Sequence, residues 1–199
     1  MRPILAFTLF GAAIPALAQA QAPDAARAPV QALSDGLIGI MQGGQKMGFA
    51  GRSAAIAPII DRSFDLAMMT RVAVGPAWTG LSAADQAALV AAFRKMTIAE
   101  YAGNFDSFGG QKFTIDPNVE VRGADRLVRT SLVQPGEAPV AIAYRLRSGA
   151  NGWRIVDVFY RNAISQLATR RADFSRVMAN GGARALIGHL NDLAAKAAA

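Results

Sequence analysis

Apolar residues recur at helical spacing through the first half of the chain. Two helices are predicted, one over Val30–Met41 that stops at Gly43-Gly44 and one over residues 53–60. The stretch FDLAMMTRVAVGPAWTGL, residues 64–81, then predicts a short helix, a Gly-Pro break and a turn of helix around Trp78. This half of the chain is therefore expected to be helical.

A longer helix is expected to begin after Ser82, because Asp85 follows three residues later as in a capping box. Its apolar face is broad enough to line a large apolar space as well as to pack against a sheet. The residues of this face are Val90, Phe93, Thr97, Tyr101, Phe105 and Phe108, widened by Leu89 and Met96.

From Lys112 the period changes from helical to alternating. Four strands are predicted, separated by turns rich in Gly, Pro, Asn and Asp: residues 112–121, 126–134, 138–147 and 152–160. Because the connections are short, the strands are expected to form an antiparallel meander. The last strand is apolar on both faces, so we expect it to be covered on both sides or to border a cavity.

Two further helices close the chain. Asn162 is predicted to cap the first, whose apolar stripe begins at Ile164, and Gly181-Gly182 separates it from the second. Helices, strands and helices in this order predict an α+β fold, in which helices roof a curved four-stranded antiparallel sheet around an internal apolar pocket. This single domain is expected to span residues 30–197.

The N-terminus has the pattern of a secretory signal. Arg2 precedes the uncharged apolar run Ile4–Leu17, and Ala16-Leu17-Ala18 supplies the small residues of a cleavage site. Residues 1–18 are therefore predicted to be a signal peptide, and residues 19–29, rich in Ala and Pro, a flexible linker. No later stretch approaches the roughly 20 apolar residues that cross a bilayer. The mature protein is expected in the periplasm.

Composition narrows the function classes. Of the 199 residues, 52% are hydrophobic and 18% are charged, which argues against a disordered chain. The formal net charge is +7, but the Arg residues are scattered and lack the aromatic interleaving of a nucleic-acid surface. An acidic partner or anionic lipid headgroups are favoured over nucleic acid, and the alternative that these Arg residues only solvate an apolar surface stays open. The absence of Cys excludes disulfides and thiol-ligated metals.

Signals for catalysis are weak. His189, the only His, has no Ser, Cys or carboxylate at a suggestive spacing and is interpreted as structural. No metal or nucleotide motif is present, and no cofactor or metal is expected. Asp157 lies in an otherwise apolar strand, where a raised pKa would suit a general base. The alternative is that Asp157 pairs with an Arg or caps a backbone group.

Several short motifs occur in a characteristic order: Phe64-Asp65 with Met68 and Arg71, Gly75 with Trp78, Phe93, Tyr101-Ala102, Tyr144, Gly152-Trp153, Val156-Asp157-Val158, Phe174, Gly182 and Leu186-Ile187. In these motifs residues 30–195 resemble the MlaC and toluene-tolerance family of periplasmic phospholipid-binding proteins, the auxiliary components of ABC transporters. The segment ISQLATRRADF looks most like the hopanoid-biosynthesis-associated, HpnM-like branch. One departure is the turn Tyr160-Arg161-Asn162-Ala163, where the family usually has a Gly.

The resemblance implies a noncatalytic carrier that holds lipid acyl chains in an apolar pocket between the sheet and the helices. Such carriers pass lipid between inner-membrane and outer-membrane complexes and support outer-membrane lipid asymmetry. The implied partners are a phospholipid or a hopanoid-type lipid, an inner-membrane lipid transporter and an outer-membrane lipoprotein complex, with transient contact with the membrane surface. A pocket is needed because, at about 0.8 kcal/mol per methylene, a sixteen-carbon chain resists passage through water by on the order of 12 kcal/mol.

The residues predicted to line this pocket are apolar or aromatic, and for each of them ordinary core packing is the alternative: Met68, Met69, Val72, Trp78, Phe93, Met96, Tyr101, Phe105, Ile142, Tyr144, Val156, Val158, Tyr160, Ile164 and Leu167. Arg71, Arg170 and Arg171 are candidates for contacting a lipid headgroup or a docking partner. Two other classes stay open, a small isomerase-like or hydratase-like cavity enzyme using Asp157 with Tyr144 or Tyr160, and a noncatalytic accessory subunit with a filled core.

Overall fold

A computed structural model describes residues 24–199; the predicted signal peptide lies outside this part of the chain. The helices are α1 (Arg27–Ser63), α2 (Leu66–Val74), α3 (Ala83–Asn104) and α4 (Gln166–Ala197). A 3-10 helix, Gly75–Gly80, follows α2 and contains Trp78, as predicted. The strands are β1 (Lys112–Ile115), β2 (Glu120–Arg122), β3 (Asp125–Val133), β4 (Val140–Gly149), β5 (Gly152–Tyr160) and β6 (Ile164–Ser165).

Helix α1 begins at Arg27, so the predicted flexible linker does not extend to residue 29. Ala26 is fully buried, and its N–H donates to the Asp24 carboxylate at 2.9 Å. Pro29 is compatible with the helix because it lies in the first turn, where its missing N–H leaves no hydrogen bond unmade. The ordered domain thus begins earlier than the apolar spacing predicts.

Helix α1 folds back on itself at two glycines. Gly44 and Gly48 leave helical geometry with φ values of 49° and 64°, a region that residues with a Cβ rarely adopt. A Cβ placed on Gly36 would lie 2.4 Å from Ile59 Cδ1, so the two halves of α1 lie side by side. The interruption predicted at Gly43-Gly44 is therefore confirmed.

Ser82 caps α3 as predicted. Its Oγ accepts a hydrogen bond from Asp85 N at 3.1 Å and donates to the Asp85 carboxylate at 2.7 Å. In addition, Asp65 caps α2 by accepting from Met68 N at 2.9 Å. Short polar side chains thus set the start of both helices, as expected for groups that satisfy otherwise unpaired N–H groups.

The sheet is antiparallel, but it has six strands rather than the predicted four. Its order is β1-β3-β4-β5-β6, with β2 also paired to β3. The first predicted strand is interrupted at Asp116-Pro117-Asn118, where Pro117 has no N–H for the ladder and Asn118 N bonds the Asp116 carboxylate at 2.8 Å. The sixth strand, β6, was missed because it contains only two residues. The α+β class is confirmed.

The prediction that Asn162 caps the last helix is wrong. Asn162 has a φ of 57° and belongs to the turn after β5, whereas Ser165 is the cap and accepts from Ala168 N at 2.9 Å. Helix α4 bends at Gly182, which has a φ of 63°, so the break predicted at Gly181-Gly182 is confirmed.

The core lies between the helices and the side of the sheet that carries Val128, Tyr144 and Leu146, all of which are buried. Helix α3 packs against α1 and α4, and α1, α2 and α4 all contact β5. The rings of Phe93 and Phe174 meet edge to face, with centroids 6.1 Å apart. No helix in residues 24–199 combines the length and the apolar character needed to span a bilayer.

Candidate functional site

An apolar cavity of about 160 Å³ lies where α2, α3, α4 and β5 converge. Its apolar wall consists of Phe64, Met69, Phe93, Met96, Tyr101, Phe105, Val158 and Leu167, and its polar residues are Thr97, Glu100, Asn104, Gln166 and Arg170. A dry cavity of about 150 Å³ is large enough to bind benzene. The space therefore accommodates a ring or a short hydrocarbon segment.

Helix α3, together with its C-cap residue Phe105, supplies four of the eight apolar wall residues. Phe93, Thr97, Tyr101 and Phe105 succeed one another at four-residue intervals and so share one face of the helix. The Tyr101 and Phe105 rings are stacked, with centroids 5.9 Å apart. A single helical face thus carries three aromatic rings of the wall.

Phe64 completes the wall from the end of α1. It forms an isolated bridge with Ile155, and Asp65 N donates to Ile155 O at 3.0 Å, which holds Phe64 against β5. The centroids of the Phe64 and Tyr101 rings are 5.9 Å apart. Burial raises the pKa of Tyr101, and the nearby Tyr144 and Glu100 raise it further, so the phenol is neutral at ordinary pH.

A charged pair lies at the more exposed side of the cavity. Arg170 on α4 and Glu100 on α3 form an ion pair with an N–O distance of 2.5 Å, and their side chains are 25% and 29% exposed. Arg170 is the one predicted headgroup candidate that lines this cavity. The pair therefore places both signs of charge next to an apolar wall.

Asp157 is buried at the junction of β5 and α4 and is fully engaged in structural hydrogen bonds. Its carboxylate accepts from Ser165 Oγ at 2.7 Å, Leu167 N at 3.1 Å and Val158 N at 2.8 Å. Arg145 lies 3.8 Å away. The capping and pairing alternative is thus the one that the structure contains, and Asp157 does not line the apolar cavity.

Seven of the predicted lining residues lie in the cavity wall: Met69, Phe93, Met96, Tyr101, Phe105, Val158 and Leu167. The others lie elsewhere. Tyr144 and Val156 are buried in the core, Trp78 and Ile142 pack partly buried against it, and Met68 is half-buried outside the cavity.

Val72 and Arg171 line a different cavity, of about 270 Å³, together with Asp157. Tyr160 and Ile164 are 41% and 53% exposed, and Arg71 is exposed as well. Helical and strand periodicity assigns a residue to a face, but it does not show which neighbouring element covers that face.

Five residues of the cavity were not predicted: Phe64, Thr97, Glu100, Asn104 and Gln166. The sequence pattern places Thr97 on the apolar face of α3, and Glu100 and Asn104 follow it on that face at helical spacing. This spacing is sufficient to predict that Glu100 and Asn104 lie next to the cavity. No pattern in the sequence indicates that Phe64 and Gln166 approach the cavity, because their positions depend on how the ends of α1 and α4 meet β5.

His189 has a carboxylate partner that its sequence spacing did not reveal. Its Nε2 lies 2.6 Å from the Asp173 carboxylate, which also accepts from Arg176 at 2.6 Å. In a straight helix, sixteen residues span about 24 Å, so the bend at Gly182 brings the two side chains together. Within residues 24–199 no cluster of three or more His, Cys, Asp or Glu side chains is arranged to hold a metal ion.

The fold and the site define a small α+β protein with an apolar cavity and a charged pair at its edge. The chain belongs to the MlaC protein family, whose model matches residues 31–192. This confirms the resemblance to MlaC proteins.

Among solved structures, a phospholipid-binding protein from Ralstonia solanacearum, in complex with a phospholipid, shares the fold. Its TM-score is 0.73 at 23% sequence identity, and the alignment covers 87% of this chain and 99% of that one. A search of the curated proteins finds no match.

Proposed function

We propose that this protein is a periplasmic carrier that holds acyl chains of a phospholipid in the cavity between α3, α4 and β5. It would move lipid between an inner-membrane transporter and an outer-membrane lipoprotein complex. The observation that carries the proposal is the cavity itself, with its aromatic and thioether wall and its edge marked by Glu100 and Arg170. Membership of the MlaC family and the phospholipid bound to the Ralstonia protein support it.

The wall suits a hydrocarbon ligand. Burial of each methylene stabilises a bound chain by about 0.8 kcal/mol relative to water, which is enough to keep a lipid in the protein during transit. The space of about 160 Å³ holds only part of an acyl chain, so loading requires the wall to move. Met69 and Met96 suit such a wall because unbranched thioether side chains adapt to ligands of different shape.

The charged pair suits a headgroup at the edge of the cavity. A phosphate can compete with Glu100 for the Arg170 guanidinium, since both are oxyanions that bind this group through charge-assisted hydrogen bonds. The Arg170–phosphate ion pair would replace the Arg170–Glu100 ion pair. Arg170 would therefore stay paired, which limits the free-energy cost of separating it from Glu100. The acyl chains would lie inside the cavity and the phosphate would lie at Arg170, so the lipid would bind in one orientation.

The first test is mass spectrometry of organic extracts from the mature protein, beginning at Gln19, beside extracts of a protein purified in the same way. Near-stoichiometric phospholipid is the expected result. A hopanoid-type lipid would still support a carrier, and it would favour the HpnM-like branch of the family. Clean extracts, together with no uptake from vesicles, would overturn the proposal and favour an accessory subunit.

A cavity-filling variant tests the location of the ligand. Val158→Phe adds bulk to the cavity wall, whereas Val140→Phe adds the same bulk to a half-buried strand position outside it. We expect Val158→Phe to lose most of the copurified lipid while Val140→Phe retains it. Thermal unfolding of both variants shows whether each is folded. Equal lipid content in the two folded variants would place the ligand elsewhere.

A further inference from the structure

The turn between β5 and β6 presents two large apolar side chains to solvent. Tyr160 is 41% exposed and Ile164 is 53% exposed. The two residues are direct partners in the β5–β6 pairing, so their Cβ atoms lie about 5 Å apart on one face. Isolated exposed apolar residues are ordinary, but a pair fixed side by side forms a patch. We call Tyr160 and Ile164 the tip patch.

The turn that holds the tip patch is costly to form. Arg161 and Asn162 have φ values of 52° and 57°, and Ala163 N donates to Tyr160 O at 3.2 Å. These features describe a tight turn with both central residues in the left-handed region, which Asn adopts readily but which costs Arg161 roughly 1–2 kcal/mol. Such strain persists where the surrounding structure enforces it and is concentrated at functional positions.

Asp157 fixes the base of this turn. Asp157 precedes the tip, and its carboxylate accepts hydrogen bonds from Ser165 Oγ and Leu167 N, which follow the tip. The buried carboxylate therefore holds β5, the turn and the start of α4 as one unit. This connection fixes the position of the turn that carries Tyr160 and Ile164.

The tip patch continues the cavity wall to the surface. Val158 lines the cavity, and Tyr160 lies two positions further along the same strand, so both side chains are on the same face of the sheet. On the other side of the turn, Gln166 and Leu167 line the cavity directly after β6. Along β5, apolar side chains therefore lead from the cavity to the tip.

Positive charge accompanies this path. The Arg161 guanidinium lies over the Tyr160 ring, 5.4 Å from its centroid, and Arg170, which is paired with Glu100, lies at the cavity edge. An aromatic ring and an aliphatic side chain beside Arg residues form the combination that partitions into the headgroup region of a bilayer with anionic lipids. The formal net charge of +7 favours approach to such a surface.

We infer that the tip patch is a bilayer-contact site through which a lipid passes directly between an anionic membrane surface and the cavity. This inference rests on the proposed carrier function, since it describes how cargo enters and leaves. A brief contact is sufficient, because two partly exposed apolar side chains bury little area.

The test compares Ile164→Glu with Val121→Glu. Val121 is a matched control because it is 62% exposed but lies on β2, which is separated from β5 by β3 and β4. Each protein is mixed with vesicles of phosphatidylcholine and phosphatidylglycerol in equal parts. Two quantities are measured, vesicle binding by flotation and the initial rate at which delipidated protein takes up fluorescent phosphatidylglycerol.

We expect Ile164→Glu to reduce both quantities by on the order of ten-fold, corresponding to about 1.4 kcal/mol, and Val121→Glu to leave them near the wild-type values. Loading from detergent-dispersed phosphatidylglycerol measures cargo capacity without a bilayer, and there Ile164→Glu should equal wild type.

Each alternative outcome has a separate meaning. Equal vesicle binding and uptake rates for the two variants would overturn the bilayer-contact site while leaving the carrier function intact. A wild-type protein that takes up no lipid even from detergent would instead overturn the carrier function itself. Faster uptake only when a membrane protein complex is added would assign the tip patch to a protein partner and would also overturn direct bilayer contact.

Discussion

The carboxylate of Asp157 accepts a hydrogen bond from the backbone N–H of Leu167 at 3.1 Å, and so joins the end of β5 to the first turn of α4. Leu167 contributes its side chain to the cavity wall. The residue that most resembled a catalytic base in the sequence therefore positions the wall of a binding cavity.

Asp157→Asn should destabilise the protein by about 1–3 kcal/mol, because a buried carboxylate that accepts several hydrogen bonds is replaced by an amide with one acceptor atom. Urea unfolding followed by circular dichroism measures the change. Asp116→Asn is the control, since its carboxylate accepts from Asn118 N in an exposed turn, and it should change stability by less than about 0.5 kcal/mol. Equal effects of the two variants would contradict the anchoring role of Asp157.

Glu100→Gln should strengthen the binding of anionic phospholipid. The substitution releases Arg170 from its ion pair at the cavity edge, so a lipid phosphate no longer competes with a carboxylate. Arg170→Gln should weaken binding, because it removes the guanidinium that the lipid phosphate would contact. Fluorescence titration with phosphatidylglycerol checks both, and we expect changes of roughly three- to ten-fold in opposite directions.

Arg94→Gln is the matched control for Arg170→Gln. Arg94 also pairs with a carboxylate from another helix, Asp61 at 2.7 Å, but it lies outside the apolar cavity. Its removal should leave lipid affinity unchanged. If Arg94→Gln weakened binding as much as Arg170→Gln, the effect would reflect net charge rather than a position at the cavity edge.

The Asp173 carboxylate, which meets His189 across the bend of α4, should make part of the stability depend on pH. Partial burial raises the pKa of Asp173, but the hydrogen bonds from His189 and Arg176 outweigh it and hold the pKa below its usual value. A carboxylate with a lowered folded-state pKa stabilises the protein above its unfolded pKa of about 3.9, and this contribution is lost as pH falls through the lower folded-state value.

We therefore expect Asp173→Asn to cost about 1 kcal/mol near neutral pH and nearly nothing in strong acid. Urea unfolding of wild type and variant across the acid range measures the difference. Asp61→Asn is the comparison, because Arg94 also lowers the pKa of Asp61 but both side chains are over 40% exposed, so less than about 0.5 kcal/mol is expected. A loss for Asp173→Asn that stays constant down to strong acid would exclude the ionic contribution.

Gly103 allows a close approach between α3 and the end of α4. A Cβ at this position would lie 2.3 Å from the backbone oxygen of Ala197, which cannot move like the end of a side chain. Gly103→Ala should therefore destabilise the protein by about 1–3 kcal/mol. Gly188→Ala, in α4 with open space around it, should stabilise it by about 0.5–1 kcal/mol. Thermal unfolding of the two variants gives the comparison, and a stabilising Gly103→Ala would show that the helices move apart at no cost.

The type and order of most elements followed from local features of the sequence. Ser82 and Asp85 marked the start of α3, Gly182 marked the bend in α4, and alternating apolar residues marked the strands. Such signals are readable because caps, glycine conformations and apolar periods act over a few neighbouring residues. Family membership was readable for a similar reason, since its motifs lie along the chain in a fixed order.

Only the tertiary structure decided which apolar residues surround the cavity. Val156 and Val158 are two positions apart on β5, yet Val156 is buried in the core and Val158 lines the cavity. The pairing of β4 with β5 shifts register between Arg145 and Leu146, and such an irregularity changes the side to which nearby residues point. Local spacing determines that a residue is apolar and lies in a strand, whereas the packing of distant elements determines whether that residue meets another side chain or an open space.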